Sequence, residues 1–302
     1  MRMKRKLLWI VIALLLVSNV VTLLILNSGE KENRRMHGGT TEGNQGNQVA
    51  ATIGGEEISY EYWLDHLEQS YGRKALKEII NHHVIEQLAQ ENNITIEQGI
   101  LDLETSFLFT LEGTLTSTQV EEKKAEWEEM IKHRLSVEEL ATMDVDVPEA
   151  EIQAYYDRYR NQYSFSQHIQ ISHIIVPDRS TADRVIEELD QGASFSALAR
   201  EYTIDDETRR DGGYLGYFTA SNSFLPSGYF ERATALEEHE YSEPFQTGEG
   251  IGILYLHRNL PSVELTYDQV RNHIRRILAL EQIHPAPNPT DFWNELNVEW
   301  IY

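Results

Sequence analysis

The side chains available for chemistry in this 302-residue chain include eleven histidines and 49 carboxylates but no cysteine. Without a thiol there is no sulfur nucleophile, no disulfide, no thiolate metal site and no acceptor for a lipid on cysteine. Metal ligation would fall to histidine and carboxylate. His82, His83 and Glu86 have a spacing that could put ligands on one helix face. A metal site needs three or four converging donors, and neither a third histidine nor a second acidic partner follows nearby in a recognisable pattern. No metal and no cofactor is expected. The 49 acidic residues stand against 26 Lys and Arg, a formal net charge of −23. Such a surface repels phosphate backbones and anionic head groups, which argues against nucleic-acid binding. It favours solubility and weak, reversible contact with other polypeptides, although an ordinary solvated acidic surface has the same composition.

The elements that would position any site begin after a charged start. Arg2, Lys4, Arg5 and Lys6 precede Leu7–Leu26, a run without charge. Twenty residues span about 30 Å of hydrocarbon as a helix. The cations belong on the cytoplasmic side, so residues 1–6 are expected in the cytoplasm, 7–26 in the membrane, and the rest outside. A cleaved signal peptide is the alternative. The run is long for one, and Asn27-Ser28-Gly29-Glu30 offers no small-x-small cleavage pattern, so an uncleaved signal anchor is expected. Residues 27–49 are rich in Gly, Asn and Gln with few apolar side chains. They read as a flexible tether reaching about 25 Å.

Residues 50–164 have helical rhythm. Ala50–Ile53 and Glu56–Ile58 flank Gly54-Gly55 as a short strand pair. Ser59 is placed to cap a helix carrying Trp63, Leu64, Leu67 and Tyr71, which Gly72 is expected to break. Leu76, Ile79, Ile80, Val84 and Leu88 mark a second helix ending near Asn92-Asn93, and a third runs through Ile100 and Phe107. Thr118 and Glu121 predict a capping box for a long helix with Trp127, Ile131 and Leu135, and Pro148 opens one with Ile152, Tyr155 and Tyr156. Nothing in this stretch is of a catalytic pattern.

The rhythm changes over residues 165–260. His168–Val176 alternates as a strand. Thr181–Leu189 and Ser194–Tyr202 read as helices divided at Gly192. Asp211-Gly212-Gly213 turns into a strand through Phe218, Gly228–Leu236 is helical, and Ile251–His257 closes as a strand. The order βααβαβ is that of a small α+β domain. After Pro261, Tyr267, Val270, Ile274, Ile277 and Leu278 mark another helix. His284–Pro289 is an extended break, Phe292-Trp293 begins a last helix, and Val298–Tyr302 alternates as a final strand suited to pairing near Ala51–Ile58.

Two stretches resemble known families. The segments VAATIGGEEISYEYWLDHLEQSYG and ALKEIINHHVIEQLAQENNITI are similar to the N-terminal chaperone domain of PrsA- and SurA-type foldases. ISHIIV, LDQGASFSALAREYTID, DGGYLGYF, FLPSGYFERA and SEPFQTGEGIGILYL follow, in order, the strands, helices and Gly-rich turn of parvulin-type (PpiC) prolyl isomerases over about 95 residues. Anchor included, the chain resembles the YacD-type branch of membrane-anchored PrsA-like foldases. The resemblance implies an α+β fold: one transmembrane helix, a mainly helical SurA/PrsA-like chaperone module from residues 50–164 and 261–302, and an inserted parvulin-like domain at 165–260.

It also implies a function and a site: peptidyl-prolyl cis-trans isomerisation in unfolded or partly folded secreted polypeptides carrying X-Pro bonds, outside the cytoplasmic membrane. His173 and Asp205 stand at the polar positions, the family carrying Cys or Asp where Asp205 falls. Leu215, Leu225 and Phe230 stand at the apolar substrate positions, where ordinary core packing is the alternative for each. A satisfied core histidine is the alternative for His173. One position departs from the pattern. Where parvulins carry a second histidine in the last strand, this chain has Gly252 in Gly250-Ile251-Gly252-Ile253-Leu254. That leaves a second reading open, a non-catalytic tethered holdase whose degenerate parvulin domain only binds peptides. A third reading, an adaptor for one envelope partner, rests on the tether alone.

Overall fold

The computed structural model describes residues 48–302. The expected cytoplasmic segment 1–6, the anchor 7–26 and the tether up to residue 47 lie outside the described residues. Among those described, no helix is long and apolar enough to cross a membrane. The described residues divide into two compact units, one ending at Ser70 and the other spanning Tyr71–Tyr302.

In the first unit, Val49–Ile53 (β1) and Glu56–Ser59 (β2) pair antiparallel across Gly54-Gly55. Val49, assigned to the tether by its sequence, opens the strand. Ser59 caps α1 (Tyr60–Leu67), its hydroxyl oxygen accepting the Tyr62 N–H at 3.1 Å. Gly72 does not break a helix. It holds right-handed helical angles at the end of a single π-helical turn, Glu68–Gly72. One glycine costs a helix only about 1 kcal/mol, too little to stop it.

The second unit begins with α2 (Arg73–Glu91), α3 (Gln98–Phe109), α4 (Ser117–Thr142) and α5 (Glu149–Tyr159). The cap of α4 lies two residues earlier than Thr118. The Thr116 hydroxyl oxygen accepts the Gln119 N–H, and the Gln119 side chain accepts the Thr116 N–H. Leu115 and Val120, the residues flanking this cap, both pack on the adjacent core. This hydrophobic staple selects the earlier start.

The chain then forms β3 (Ser164–Phe165), β4 (His168–Val176), α6 (Arg179–Asp190), α7 (Phe195–Tyr202), β5 (Tyr214–Phe218), α8 (Tyr229–Ala233), β6 (Phe245–Gln246), β7 (Ile251–Leu260), β8 (Val263–Glu264) and α9 (Tyr267–Leu280). One sheet has the order β5-β4-β7-β6, with every neighbouring pair antiparallel. Its centre, β4, is buried along nearly its whole length. That explains why ISHIIV is an almost continuous apolar run rather than a strict alternation. Ile174, Val176 and Ile253 pack under α6 and α7 with Val185, Leu198 and Ala199. Ile169, Ile171, Leu254 and Leu256 pack on the other face with Tyr229 and Ala233 of α8 and with Phe245.

Either side of this sheet in sequence, the helices share one core. Ile100, Trp127, Ile131, Leu135 and Ile152 of α3, α4 and α5 enclose Val270 and Ile274 of α9. Glu139 of α4 accepts from both Arg275 and Arg276. Where the chain enters and leaves the sheet, β3 pairs antiparallel with β8, Phe165 opposite Val263. The C-terminal helix thus packs on helices that precede the sheet. The expected final strand is absent. Pro289–Phe292 is a 3₁₀ turn rather than the start of a helix, and Val298–Tyr302 has no strand pairing. The sheet that contains Val49–Ile53 has two strands only. The apolar residues of the tail are satisfied by packing. Phe292 joins Val84, Ile85, Leu88, Val137 and Leu140, Trp293 donates to Asn81 Oδ1 at 2.8 Å, and Trp300 stacks edge-on to Trp293.

Candidate active site

Strand β4 carries His173 into the sheet's buried interior, with 5% of its surface exposed. Opposite it in register is Leu254 of β7. Beyond the α7 terminus the chain runs back along the β4 edge. Ile204 N–H donates to Ile175 O at 2.7 Å, and the Thr203 hydroxyl oxygen accepts from Ile175 N–H at 3.1 Å. Arg209 fastens the same loop, donating to Thr203 O at 3.0 and 2.7 Å. This brings Asp205 to His173, Oδ2 to Nε2 at 2.8 Å. The Gly-rich turn supports the pair from below. His173 N–H donates to Gly213 O at 2.8 Å. Gly213 has φ +79°, and a Cβ there would lie 2.0 Å from His173 O. Only glycine permits that approach.

Two residues not singled out from the sequence complete the polar group. Thr208 donates to Asp205 Oδ2 at 2.5 Å and lies 3.2 Å from His173 Nε2. The Tyr229 hydroxyl lies 3.3 Å from His173 Nδ1. The Asp-x-x-Thr spacing was a legible signal for Thr208, since three residues make one helical turn. Tyr229 had none beyond its place beside Phe230. Burial opposes ionisation of Asp205. Hydrogen bonds from Thr208, from His173 and from the Glu207 N–H outweigh it and hold the carboxyl below its ordinary value. Burial, then Glu249 and Asp205, push the Tyr229 phenol up to about 12, so it keeps its proton near neutrality.

The three apolar nominees come to one place. Leu215, Leu225 and Phe230 are half-buried around the cluster of Ile169, Ile171, Tyr229 and Leu254, on the sheet face that carries His173. Phe224, next to Leu225, is 90% exposed, an aromatic ring that the sequence reading passed over. Gly252 is buried on the same face, opposite Ile175. A Cβ on it would lie 2.7 Å from Thr247 Cγ2 and 3.4 Å from the Phe245 ring. The space that a side chain at 252 would need is filled. The other histidine of β7, His257, cannot serve. It faces the opposite side of the sheet, hydrogen-bonded through Nε2 to Ser172 Oγ at 2.7 Å. Burial, His239 and Arg258 lower its pKa to about 4.

Outside this site, His82 meets the third histidine that its local sequence lacks. His133 of α4 stacks on it at 5.5 Å, and Glu129 lies 3.8 Å away. The rings stack instead of converging. Among the described residues no group of three His, Asp or Glu side chains is placed to hold a metal.

Residues 147–272 match the family described as "PPIC-type PPIASE domain". The chain is also 34% identical over 253 residues to YacD of Bacillus subtilis (strain 168), provisionally named a peptidyl-prolyl cis-trans isomerase, covering 83% of this chain and 85% of YacD. This chain belongs to the PpiC-type peptidyl-prolyl isomerase family. Within that family it is 30% identical over 240 residues to the foldase protein PrsA of Halalkalibacterium halodurans, covering 76% of this chain and 70% of that protein. The crystal structure of PrsA from Bacillus subtilis covers 84% of this chain at 20% identity, with a TM-score of 0.29. The PpiC-type domain is the isomerase domain of the chain, and its sheet is the one that carries His173.

Proposed function

We propose that the face bearing His173, Asp205, Leu215, Leu225 and Phe230 is the isomerase site, and that it acts as a foldase on X-Pro bonds of secreted or cell-envelope polypeptides. The observation that carries this reading is the buried His173–Asp205 hydrogen bond at 2.8 Å, bordered by half-buried apolar side chains. Rotation about an X-Pro bond must break amide resonance, a barrier of about 18–20 kcal/mol. No bond is made or broken, so the site need only bind the twisted amide better than either planar form. Leu215, Leu225 and Phe230, with exposed Phe224, hold the prolyl ring and displace water from the carbonyl. Resonance puts partial negative charge on that oxygen. An ionised Asp205 nearby disfavours the charge and so weakens the double-bond character, in a setting where fewer waters screen the effect. His173 and Thr208 fix the carboxylate's position.

In this reading residues 165–260 are the catalytic insert, and residues 50–164 with 261–302 form the chaperone module. Residues 7–26 anchor the protein in the cytoplasmic membrane with the N-terminus inside, residues 27–49 form the tether, and the bulk lies outside. The pairing of β3 with β8, which sets the two connections side by side, supports the insertion. The uncharged run Leu7–Leu26 after four cations supports the anchor. The test is refolding of a protein whose slow phase is limited by proline isomerisation. The full chain should accelerate that phase, and Asp205→Ala should lower kcat/KM by about ten- to a hundredfold, the equivalent of one charged hydrogen bond. A wild-type chain that leaves the slow phase unchanged but suppresses aggregation would replace this reading with the holdase. Protease added outside intact cells should digest residues 48–302; protection of that region would overturn the anchor's orientation.

A further inference from the structure

We infer that the Tyr229 hydroxyl is the positioning group for His173, taking over the polar contact that the missing second histidine of the last strand would make. This rests on the reading of His173 and Asp205 as the isomerase site.

The geometry begins at Gly252. Its face is closed by Thr247 and by the Phe245 ring. The Arg232 guanidinium lies over Phe245, 4.3 Å from the ring centroid. Phe245 in turn meets Tyr229 edge-on at 5.5 Å, and Tyr229 meets His173 edge-on at 6.0 Å. The aromatic chain that occupies the vacant histidine's space therefore ends with a hydroxyl 3.3 Å from His173 Nδ1. Tyr229 is 1% exposed and packed among Ile169, Ile171 and Leu254, so its ring cannot swing out to water. Among the described residues, His173 Nδ1 is the one hydrogen-bond partner of this hydroxyl.

The proton arrangement follows from the partners. Asp205 accepts and cannot donate when ionised, so His173 presents an N–H at Nε2. In the neutral ring Nδ1 is then a lone pair, and the Tyr229 O–H is the donor that satisfies it. Charged and titratable groups face this ring from two elements: Asp205, with Thr208, on the loop after α7, and Tyr229 on α8. The hydroxyl thus holds the imidazole from the side opposite the carboxylate. Without it the ring is tied at one nitrogen only, and Asp205 loses its fixed direction toward the substrate carbonyl.

The experiment uses the full chain labelled with ¹⁵N-histidine, the His173 resonances being identified by their loss in His173→Gln. Tyr229→Phe keeps the ring and removes the hydroxyl. The Nδ1 resonance should move toward that of an unbonded lone pair. The kcat for a prolyl peptide should fall about three- to tenfold with KM unchanged, the size of one net hydrogen bond. Incorporation of 3-fluorotyrosine at 229 keeps the fold's shape and strengthens the donor. It should move the resonance the opposite way, and it serves where the Phe variant folds poorly. If neither substitution moves the Nδ1 resonance, the inference is overturned. A wild type without turnover overturns the isomerase reading itself, so the two failures are read from different measurements.

Discussion

Substituting Gly252 by alanine measures whether this site has room for the histidine that the family pattern puts there. The added Cβ would lie 2.7 Å from Thr247 Cγ2, well inside the usual carbon contact of about 3.5–4.0 Å. Thr247 does not yield easily. Its hydroxyl donates to Gly250 O at 2.9 Å and accepts the N–H groups of Gly250 and Glu249 at 3.1 and 3.3 Å. Forcing a carbon into so tight a place costs about 1–3 kcal/mol, while the stiffer unfolded chain returns about 0.4–1 kcal/mol. The net loss expected is about 1–2 kcal/mol, or roughly 2–8 °C in Tm for a chain of this size. Gly252→His carries the same Cβ with more bulk beyond it, so it should lose more stability and gain no turnover. Thr247→Ser removes Cγ2 and keeps the hydroxyl. Alone it should cost less than about 1 kcal/mol, for one methyl group. Combined with Gly252→Ala it should recover about 1 kcal/mol, a coupling readable from the denaturation midpoints of the four proteins. Gly252→Ala melting with the wild type, or strictly additive effects in the double variant, would refute the claim that Thr247 closes this position.

Three further outcomes follow from the same geometry. Because the folded state lowers the Asp205 pKa, its carboxylate stabilises the fold above the ordinary Asp value of about 3.9, and that stability is lost as pH falls through the folded value. The stability gap between wild type and Asp205→Asn should therefore be full at pH 6–7 and close on acidification below pH 4; a gap constant down to pH 2 would contradict it. Glu139→Ala should destabilise by about 1–3 kcal/mol, because Arg275 and the buried Arg276 each lose a carboxylate acceptor while Glu138 still faces Arg276. Arg276→Met should cost less in the same denaturation assay. Phe292→Ala should cost about 3 kcal/mol and raise hydrogen exchange in α2 before the sheet, since Phe292 packs on Val84, Ile85 and Leu88.

Much of this protein was legible in its sequence because the signals were local. Apolar spacing marked α2, α4 and α9, and ISHIIV marked the central strand with its histidine. The ordered motifs marked the PpiC-type domain and led to His173, Asp205, Leu215, Leu225 and Phe230, which the structure brings to one face. Local signals also misled where two solutions were nearly equal. Thr116 and Thr118 both head a plausible capping box, and only the packing of Leu115 and Val120 chose between them. Val298–Tyr302 alternates like a strand, yet it pairs with no strand, and its aromatic rings pack on one another and on Trp293 instead. The sequence alone determined which elements form and which pair could be polar in an apolar strand, because periodicity and turn chemistry act over a few residues. Only the tertiary structure decided who stands beside His173. Thr208 lies 35 residues away and Tyr229 lies 56 away. No spacing rule reaches that far, and only the packing of α8 on β4, β7 and Phe245 brings that hydroxyl to the ring.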